Sequence, residues 1–316
     1  MQLLKIFALL LVHHFAGAQL SESNPRQVAI TIDDLPVVTR RPSLEVKQDI
    51  TRRLVAALVE NDVPAIGFVN ENKLYKFNRL DSARIDLLKR WLEAGLELGN
   101  HTYSHPSLHK ISLAEYQQEI LRGEEITQEI CKSYGKALAY FRHPFLHTGR
   151  SVEIRDSLLH FLDKHDYQVA PVSIDNADYW FAAAYERAII DQDTDMQRQV
   201  RETYLQYMED YFAYYERQSE MLLGREIAQI LLLHANALNA DTFDKLANMI
   251  RERGYTFVSL KKALEDPAYH TQEDTFAGAA GISWIHRWAL TQGKRGDFFK
   301  GEPTVPEFIN ELANSF

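Results

Sequence analysis

Short apolar runs alternate with amphipathic stretches along most of the chain, and this alternation predicts the fold. The apolar runs have the length of buried strands and lie at residues 27–32, 65–69, 96–98, 139–141, 167–174, 226–233 and 255–258. Between them, apolar positions recur at helical spacing over residues 44–60, 81–94, 112–132, 151–165, 241–253 and 260–264. Such alternation predicts parallel strands joined by right-handed crossovers, in a (β/α) barrel or an open doubly wound sheet.

The polar residues favour the barrel, because ionisable side chains directly follow the predicted strands. In (β/α) barrels the working residues lie at the C-terminal ends of the strands. We therefore predict an α/β fold, a distorted (β/α) barrel of about seven parallel strands. The residues at the strand ends are Asp33, Asp34, His101, His105, Arg142, Asp175, Asp178 and His234.

The length of 316 residues suits one large core better than two equal domains. We expect the barrel domain to span residues 19–264. Within it, residues 181–224 form a helical insertion whose tyrosines recur at helical spacing, which is more typical of core residues than of a ligand surface. Residues 265–316 form a C-terminal extension that we expect to pack on the barrel.

The N-terminus has the composition of a secretory signal peptide. Lys5 precedes an apolar run at residues 6–12, and Ala16 and Ala18 form a small-residue cleavage step, so we expect residues 1–18 to be removed. The apolar run is too short to span a bilayer. The alternative is a buried N-terminal strand or helix. The prediction places the mature protein in the periplasm or outside the cell.

The composition excludes some classes of binding partner. The net charge is −9 and no basic cluster stands out, which argues against nucleic acid or an anionic membrane as the main partner. Cys131 is the only cysteine, so no internal disulfide forms, and we interpret it as a structural residue in a helix. The sequence does not predict an oligomeric state.

Two groups of residues indicate metal chemistry. His101 and His105 are four residues apart, so on a helical turn both imidazoles lie on one face and reach one ion. The alternative is a loop that happens to be rich in histidine. Asp33 and Asp34 are adjacent at a strand end, where two close carboxylates resist joint ionisation unless a cation is present. The alternative for this pair is a turn before Pro36.

These residues belong to five motifs that stand in the order found in the polysaccharide deacetylase family, also called carbohydrate esterase family 4 or the NodB-homology type. The chain resembles that family over about residues 28–264. The motifs are Thr31-Ile32-Asp33-Asp34, His101-Thr102-Tyr103-Ser104-His105, Arg142-His143-Pro144, Asp175-Asn176-Ala177-Asp178-Tyr179-Trp180 and Leu231-Leu232-Leu233-His234.

The resemblance implies a role for each group. Asp34, His101 and His105 would ligate a divalent metal, with zinc expected first and Co²⁺, Ni²⁺ or Mn²⁺ as alternatives. Asp33 would be the general base that takes a proton from the attacking water, and Arg142 would keep it ionised and oriented.

On the leaving-group side, His234 would be the general acid, tuned by Asp178. This sequence departs from the family pattern because Tyr179 separates Asp178 from Trp180, so Asp175 is a rival for that role.

The expected function is metal-dependent hydrolysis of N-acetyl groups on the amino sugars of a polysaccharide or oligosaccharide, chitin-like or peptidoglycan-like. That activity is hydrolysis of a C–N bond other than a peptide bond. One alternative is another amide or ester on the same scaffold, such as O-acetyl xylan, a formamido sugar or a small amide. A second alternative, from another class, is an inactive carbohydrate-binding protein.

Overall fold

The main feature of the computed structural model, which describes residues 26–315, is one parallel sheet wrapped by helices. The strands are β1 (Arg26–Leu35), β2 (Ile66–Val69), β3 (Tyr75–Lys76), β4 (Arg79–Leu80), β5 (Glu97–Asn100), β6 (Tyr140–Phe141), β7 (Gln168–Val169), β8 (Gln229–His234) and β9 (Tyr255–Phe257). The sheet order is β7-β6-β5-β2-β1-β8, with β9 also paired to β1, and every pair in it is parallel. The predicted distorted (β/α) barrel is confirmed.

The helices follow the strands in the predicted alternation. They are α1 (Leu44–Glu60), α2 (Ser82–Glu93), α3 (Leu113–Arg122), α4 (Glu125–Ser133), α5 (Val152–Lys164), α6 (Asp178–Ile190), α7 (Thr194–Leu223), α8 (Ala237–Glu252), α9 (Leu260–Ala263), α10 (Ala268–Thr271), α11 (Trp284–Thr291) and α12 (Glu307–Asn314). Short polar caps start several of them: Ser43 accepts from the Val46 N–H, and Ser112 forms a capping box with Glu115.

Strand β1 is the centre of the sheet. It is longer than predicted, since it runs to Leu35 and so contains both aspartates instead of ending before them. Its partner β8 is in a register that places Asp33 directly beside His234. Side chains alternate along a strand, so the two adjacent aspartates point in different directions. This register brings two of the predicted motifs together.

The predicted helix over residues 112–132 is wrong in one respect, because it is two helices that break at Gly123. A Cβ atom at Gly123 would lie 2.6 Å from the Thr102 carbonyl carbon and 2.7 Å from the Tyr103 nitrogen. The chain therefore ends α3 where it meets the loop that carries the two histidines. The Tyr103 N–H donates to the Glu119 carbonyl (2.9 Å), which fastens that loop to α3.

Two further predictions need correction. The helical insertion is also two helices, α6 and α7, because Gln192 adopts a positive φ of 57° and Asp193 caps α7 by accepting from the Met196 N–H. The predicted strand over residues 167–174 is regular only as β7. Its continuation crosses from β6 to β8, where Ile174 forms a parallel bridge with Leu231, and this crossing closes the barrel.

The C-terminal extension lies against the closing segment of the barrel. The Trp284 N–H donates to the Val172 carbonyl (2.7 Å), and His286 Nε2 lies 3.0 Å from the Tyr214 hydroxyl of α7. Gly281 passes so close to the Phe145 carbonyl that a Cβ atom there would overlap it. The tyrosine face of α7 is buried, as its helical spacing predicted, and the extension covers it at Tyr211 and Tyr214.

Between residues 26 and 315, no helix combines the length and the apolar composition that crossing a membrane requires. The predicted signal peptide, residues 1–18, lies outside the described residues. Cys131 is buried in α4, where burial raises its thiol pKa to about 11.

The Gly123 contact gives a testable prediction. The Gly123→Ala variant should be destabilised by about 1–3 kcal/mol, because its methyl group overlaps the backbone of the histidine loop. Urea unfolding measures the loss. A matched control is Gly135→Ala, where nothing lies within 4 Å of the added Cβ and only the positive φ of 67° is strained. Divalent-cation affinity should fall in Gly123→Ala alone, and equal affinity in both variants would contradict this account.

Candidate metal and catalytic site

The two histidines are held by a loop, not by the helical turn assumed from their spacing. His101 directly follows β5, and Thr102 and His105 both adopt left-handed backbone conformations, with φ of 68° and 60°. The His105 N–H donates to Thr102 Oγ1 (3.0 Å). This turn brings the imidazole centroids to 4.8 Å from each other. The rings converge as predicted, through a different backbone geometry.

A backbone carbonyl fixes the His101 ring. His101 Nδ1 lies 2.8 Å from the Arg142 carbonyl oxygen, which can only accept, so Nδ1 carries the proton and Nε2 keeps its lone pair. Burial is the largest cause that lowers the pKa of His101 and of His105, so both rings are neutral near pH 7. Neutral imidazoles with an oriented lone pair are the form that metals bind.

Asp34 completes a three-residue cluster with these imidazoles. One ligand atom each from Asp34, His101 and His105 lies within 4.8 Å of the others. Burial alone would raise the pKa of Asp34, but Lys73 and the nearby histidines outweigh it and hold the pKa below its usual range. One carboxylate and two imidazoles, with room for further ligands, fit a catalytic zinc-type ion. This is the set of residues that the sequence predicted as metal ligands.

Lys73 is an unpredicted member of the site. It lies in a short 3₁₀ helix (Glu71–Leu74) after β2, and its Nζ is 3.3 Å from Asp34 Oδ1 and 2.8 Å from the Asp34 carbonyl oxygen. The Lys73 ammonium therefore interacts with the same Asp34 carboxylate that would bind a metal cation. The sequence held no motif signal for it, because only the fold brings the residue after β2 to the end of β1.

Asp33 is almost fully buried, at 3% exposure, beside the buried guanidinium of Arg142. Arg142 Nη1 lies 3.6 Å from Asp33 Oδ2, and its Nη2 donates to Thr31 Oγ1 (2.9 Å). Burial raises the pKa of Asp33 to about 6, and Arg142 limits that rise. Within residues 26–315, Asp33 Oδ1 has no hydrogen-bond partner, so a proton-accepting oxygen remains available.

His234, which lies beside Asp33 on the neighbouring strand β8, forms a pair with Asp178. His234 Nδ1 lies 2.6 Å from Asp178 Oδ1, and the His234 N–H donates to Asp178 Oδ2 (2.9 Å). Burial alone would lower the pKa of His234, but the Asp178 carboxylate outweighs it and raises the pKa to about 9. The ring is therefore a cation at neutral pH, and Nε2–H is left to donate.

The structure shows which of the two aspartates, Asp175 or Asp178, contacts His234. Asp178 contacts His234 directly, and it is fully buried. Asp175 is partly exposed, and burial together with Glu302 of the C-terminal extension raises its pKa to about 7. Asn239 also positions this pair and was not predicted from the sequence. Its Nδ2 donates to Asp178 Oδ2 (2.7 Å) and to the His234 carbonyl (2.9 Å). Its position five residues after His234, on α8, gave no signal without the fold.

The comparisons with known proteins concern the family. The model of the family described as polysaccharide deacetylase matches residues 21–169, which contain the first three motifs. A peptidoglycan-N-acetylglucosamine deacetylase of Bacillus cereus is 29% identical over 168 residues, 53% of this chain and 52% of that protein. A chitin deacetylase of Colletotrichum lindemuthianum is 32% identical over 124 residues, 39% of this chain and 44% of that protein.

The matched region thus spans about half the length of each of these relatives. The solved structure of the chitin deacetylase from Colletotrichum lindemuthianum has a TM-score of 0.52 at 23% identity, covering 78% of this chain and 91% of that one, which shows a shared fold. The family resemblance predicted from the motifs is confirmed: residues 21–169 match the polysaccharide deacetylase family.

Proposed function

We propose that the chain is a metal-dependent hydrolase that removes N-acetyl groups from the amino sugars of a chitin-like or peptidoglycan-like polymer. One observation carries the proposal. A cluster of Asp34, His101 and His105 lies beside a buried carboxylate without a hydrogen-bond partner, Asp33, and a charged imidazole, His234. Amide hydrolysis needs a proton acceptor, a proton donor and stabilisation of the carbonyl oxygen, and these groups offer each of them.

The proposed reaction assigns each proton to a residue. Asp33 accepts a proton from the water whose oxygen attacks the acetyl carbon, and Arg142 holds the resulting acid in place. His234 then donates its Nε2 proton to the amide nitrogen, so the C–N bond breaks and acetate and a free amine leave. Asp178 stabilises His234 while it is a cation. A divalent cation held by Asp34, His101 and His105 would polarise the carbonyl and make the water more acidic.

The same proposal includes export and a carbohydrate partner. The composition of residues 1–18 is that of a signal peptide, and cell-wall polymers lie outside the cytoplasm. Two relatives, a peptidoglycan-N-acetylglucosamine deacetylase and a chitin deacetylase, carry polymeric substrates in their names. We propose zinc as the resident cation, since imidazole and carboxylate oxygen are ligands that zinc accepts in catalytic sites.

Acetate release tests this function. Chitin oligomers, peptidoglycan and acetylated xylan are offered to the purified protein, and its metal content is measured in parallel. His105→Ala should lower both metal content and acetate release by about 10²-fold or more, because it removes one of three protein ligands. His160→Ala, an exposed histidine on α5, is the control and should change neither.

The substrate pattern discriminates among the alternatives. Release from acetylated xylan alone would replace the amide with an ester as the substrate. Acetate release that persists in metal-free protein would overturn the proposed chemistry.

Lys73 should weaken cation binding, because its ammonium shares the Asp34 carboxylate. The Lys73→Met variant should bind Zn²⁺ about fivefold more tightly, since a partly exposed ion pair is worth about 1 kcal/mol or less. Titration against a competing chelator measures this affinity without any turnover. The control is Lys76→Met, which removes an exposed lysine of β3. Unchanged or weaker zinc affinity in Lys73→Met would show that Lys73 does not compete for Asp34.

The proposed acid and base predict how the rate of hydrolysis changes with pH. Asp33 acts ionised, so the rate falls as pH drops through its pKa of about 6. His234 acts protonated, so the rate falls as pH rises through its pKa of about 9. Because the Asp178 carboxylate raises the second value, Asp178→Asn should move the alkaline limb to lower pH and lower kcat by about 10²-fold.

Asp175→Asn is the matched control for this experiment, and its alkaline limb should move less. Both variants are compared with the wild type under the same metal loading, so that the charge of the cation cancels. An alkaline limb that stays in place in Asp178→Asn would remove Asp178 from the acid's partner role.

A further inference from the structure

A cavity of about 460 Å³, apart from the Asp34 cluster, lies between β7 and the C-terminal extension. We name it the seam cavity, because the segment that closes the barrel forms part of its lining. Among the described residues, its lining includes neither the aspartates and histidines of the Asp34 cluster nor His234. Its volume is within the range of small-molecule sites. Nothing in the proposed reaction uses it.

The seam cavity has an aromatic wall supplied by the extension. Trp284 and Trp288 of α11 line it together with Tyr269 of α10, and the Tyr269 and Trp288 rings are 5.7 Å apart between centroids. Trp288 is 2% exposed, while Trp284 and Tyr269 are partly exposed. Flat aromatic surfaces with an accessible face pack well against ring-shaped ligands that have apolar faces.

Among residues 26–315, two side chains of the cavity lining carry buried polar atoms without hydrogen-bond partners. His143 lines the cavity at 2% exposure, and its Nδ1 has no hydrogen-bond partner within the described chain. His143 follows Arg142 in the loop after β6, but it lines the seam cavity, whereas Arg142 contacts Asp33. Arg155 also lines the cavity, and its Nη1 is buried without a hydrogen bond in the same part of the structure. Unmet buried donors and acceptors are costly, and a bound ligand would satisfy them.

The charges in the lining select the class of ligand. Asp274 lies 4.0 Å from Arg155 Nη1 and accepts from Arg287 Nε at 2.7 Å, so it offsets much of their positive charge. Burial and the nearby arginines lower the pKa of His143 to about 3, so its ring is neutral. Thr148 and Gln272 add uncharged hydrogen-bonding groups. A lining of this kind suits an uncharged ligand with several hydroxyl or carbonyl oxygens better than a polyanion.

We propose that the seam cavity is a carbohydrate site, which binds one or two neutral pyranose rings against the partly exposed rings of Trp284 and Tyr269, with an acetamido or hydroxyl group toward His143 and Arg155. This rests on the proposed function for the kind of sugar, and it goes beyond that function by giving the C-terminal extension a ligand. The site would hold a neighbouring part of the polymer while another unit is hydrolysed.

Sugar binding to a catalytically inactive variant tests the proposal. Diacetylchitobiose is titrated calorimetrically into Asp33→Asn, which removes the proton acceptor but leaves the Asp34 cluster and the seam cavity unchanged. Leu159, an α5 residue of the cavity lining that is 42% exposed, is then changed to Trp in the same protein, which fills the cavity mouth from an exposed helix position. His160→Trp, its exposed neighbour outside the lining, is the matched control.

The expected result is a second binding event in Asp33→Asn and in the His160→Trp control, weakened at least tenfold by Leu159→Trp. In the otherwise unaltered enzyme, Leu159→Trp should raise KM for polymeric chitin while kcat on a soluble oligomer stays unchanged. Equal stoichiometry and affinity in both double variants would overturn the seam site, as would the absence of any second event. Sugar binding that Leu159→Trp weakens, without acetate release from any substrate, would overturn the proposed reaction but support the seam site.

Discussion

The site depends on one buried cation, the guanidinium of Arg142. A fully buried charge is stable only when nearby groups compensate for its lost hydration. Arg142 meets this need with Asp33 and with the hydroxyl of Thr31, both on the central strand β1. Its carbonyl oxygen accepts from His101, which follows β5. One residue just after β6 thus joins the proposed base to a member of the metal cluster, and loss of its charge would remove the largest favourable interaction that opposes the burial of the Asp33 carboxylate.

The order of strands and the convergence of the motifs could be predicted from the sequence because both follow from short-range patterns. Apolar runs identify the strands, and parallel strands present their C-terminal ends at one edge. Asp34, His101 and His105 therefore meet although they are distant in the chain. The motif order favoured Asp178 as the partner of His234 but left Asp175 as a rival, because both flank the same turn, and the start of α6 at Asp178 decides between them.

Other features were missed because they arise from close packing between elements. Gly123 looks like any residue of an amphipathic helix until the backbone of the histidine loop is placed against it. Lys73 and Asn239 lie outside every motif, yet each contacts a motif carboxylate. The left-handed conformations of Thr102 and His105 also have no sequence signal, because neither residue is the glycine that such a φ favours.

Under the proposed function, the pairing of Asp33 with His234 on adjacent strands decides from which side a substrate would approach the barrel. In the sheet order, β5 with its imidazoles lies on one side of β1, and β8 with His234 lies on the other. For the proposed roles, the acetyl carbonyl faces β5 and the nitrogen faces β8. The sugar that carries this nitrogen must then extend across the mouth over the side where α6 begins. Under the proposed function, the substrate would therefore approach from the flank where α6 begins, and the imidazoles that follow β5 would lie on the opposite side of β1.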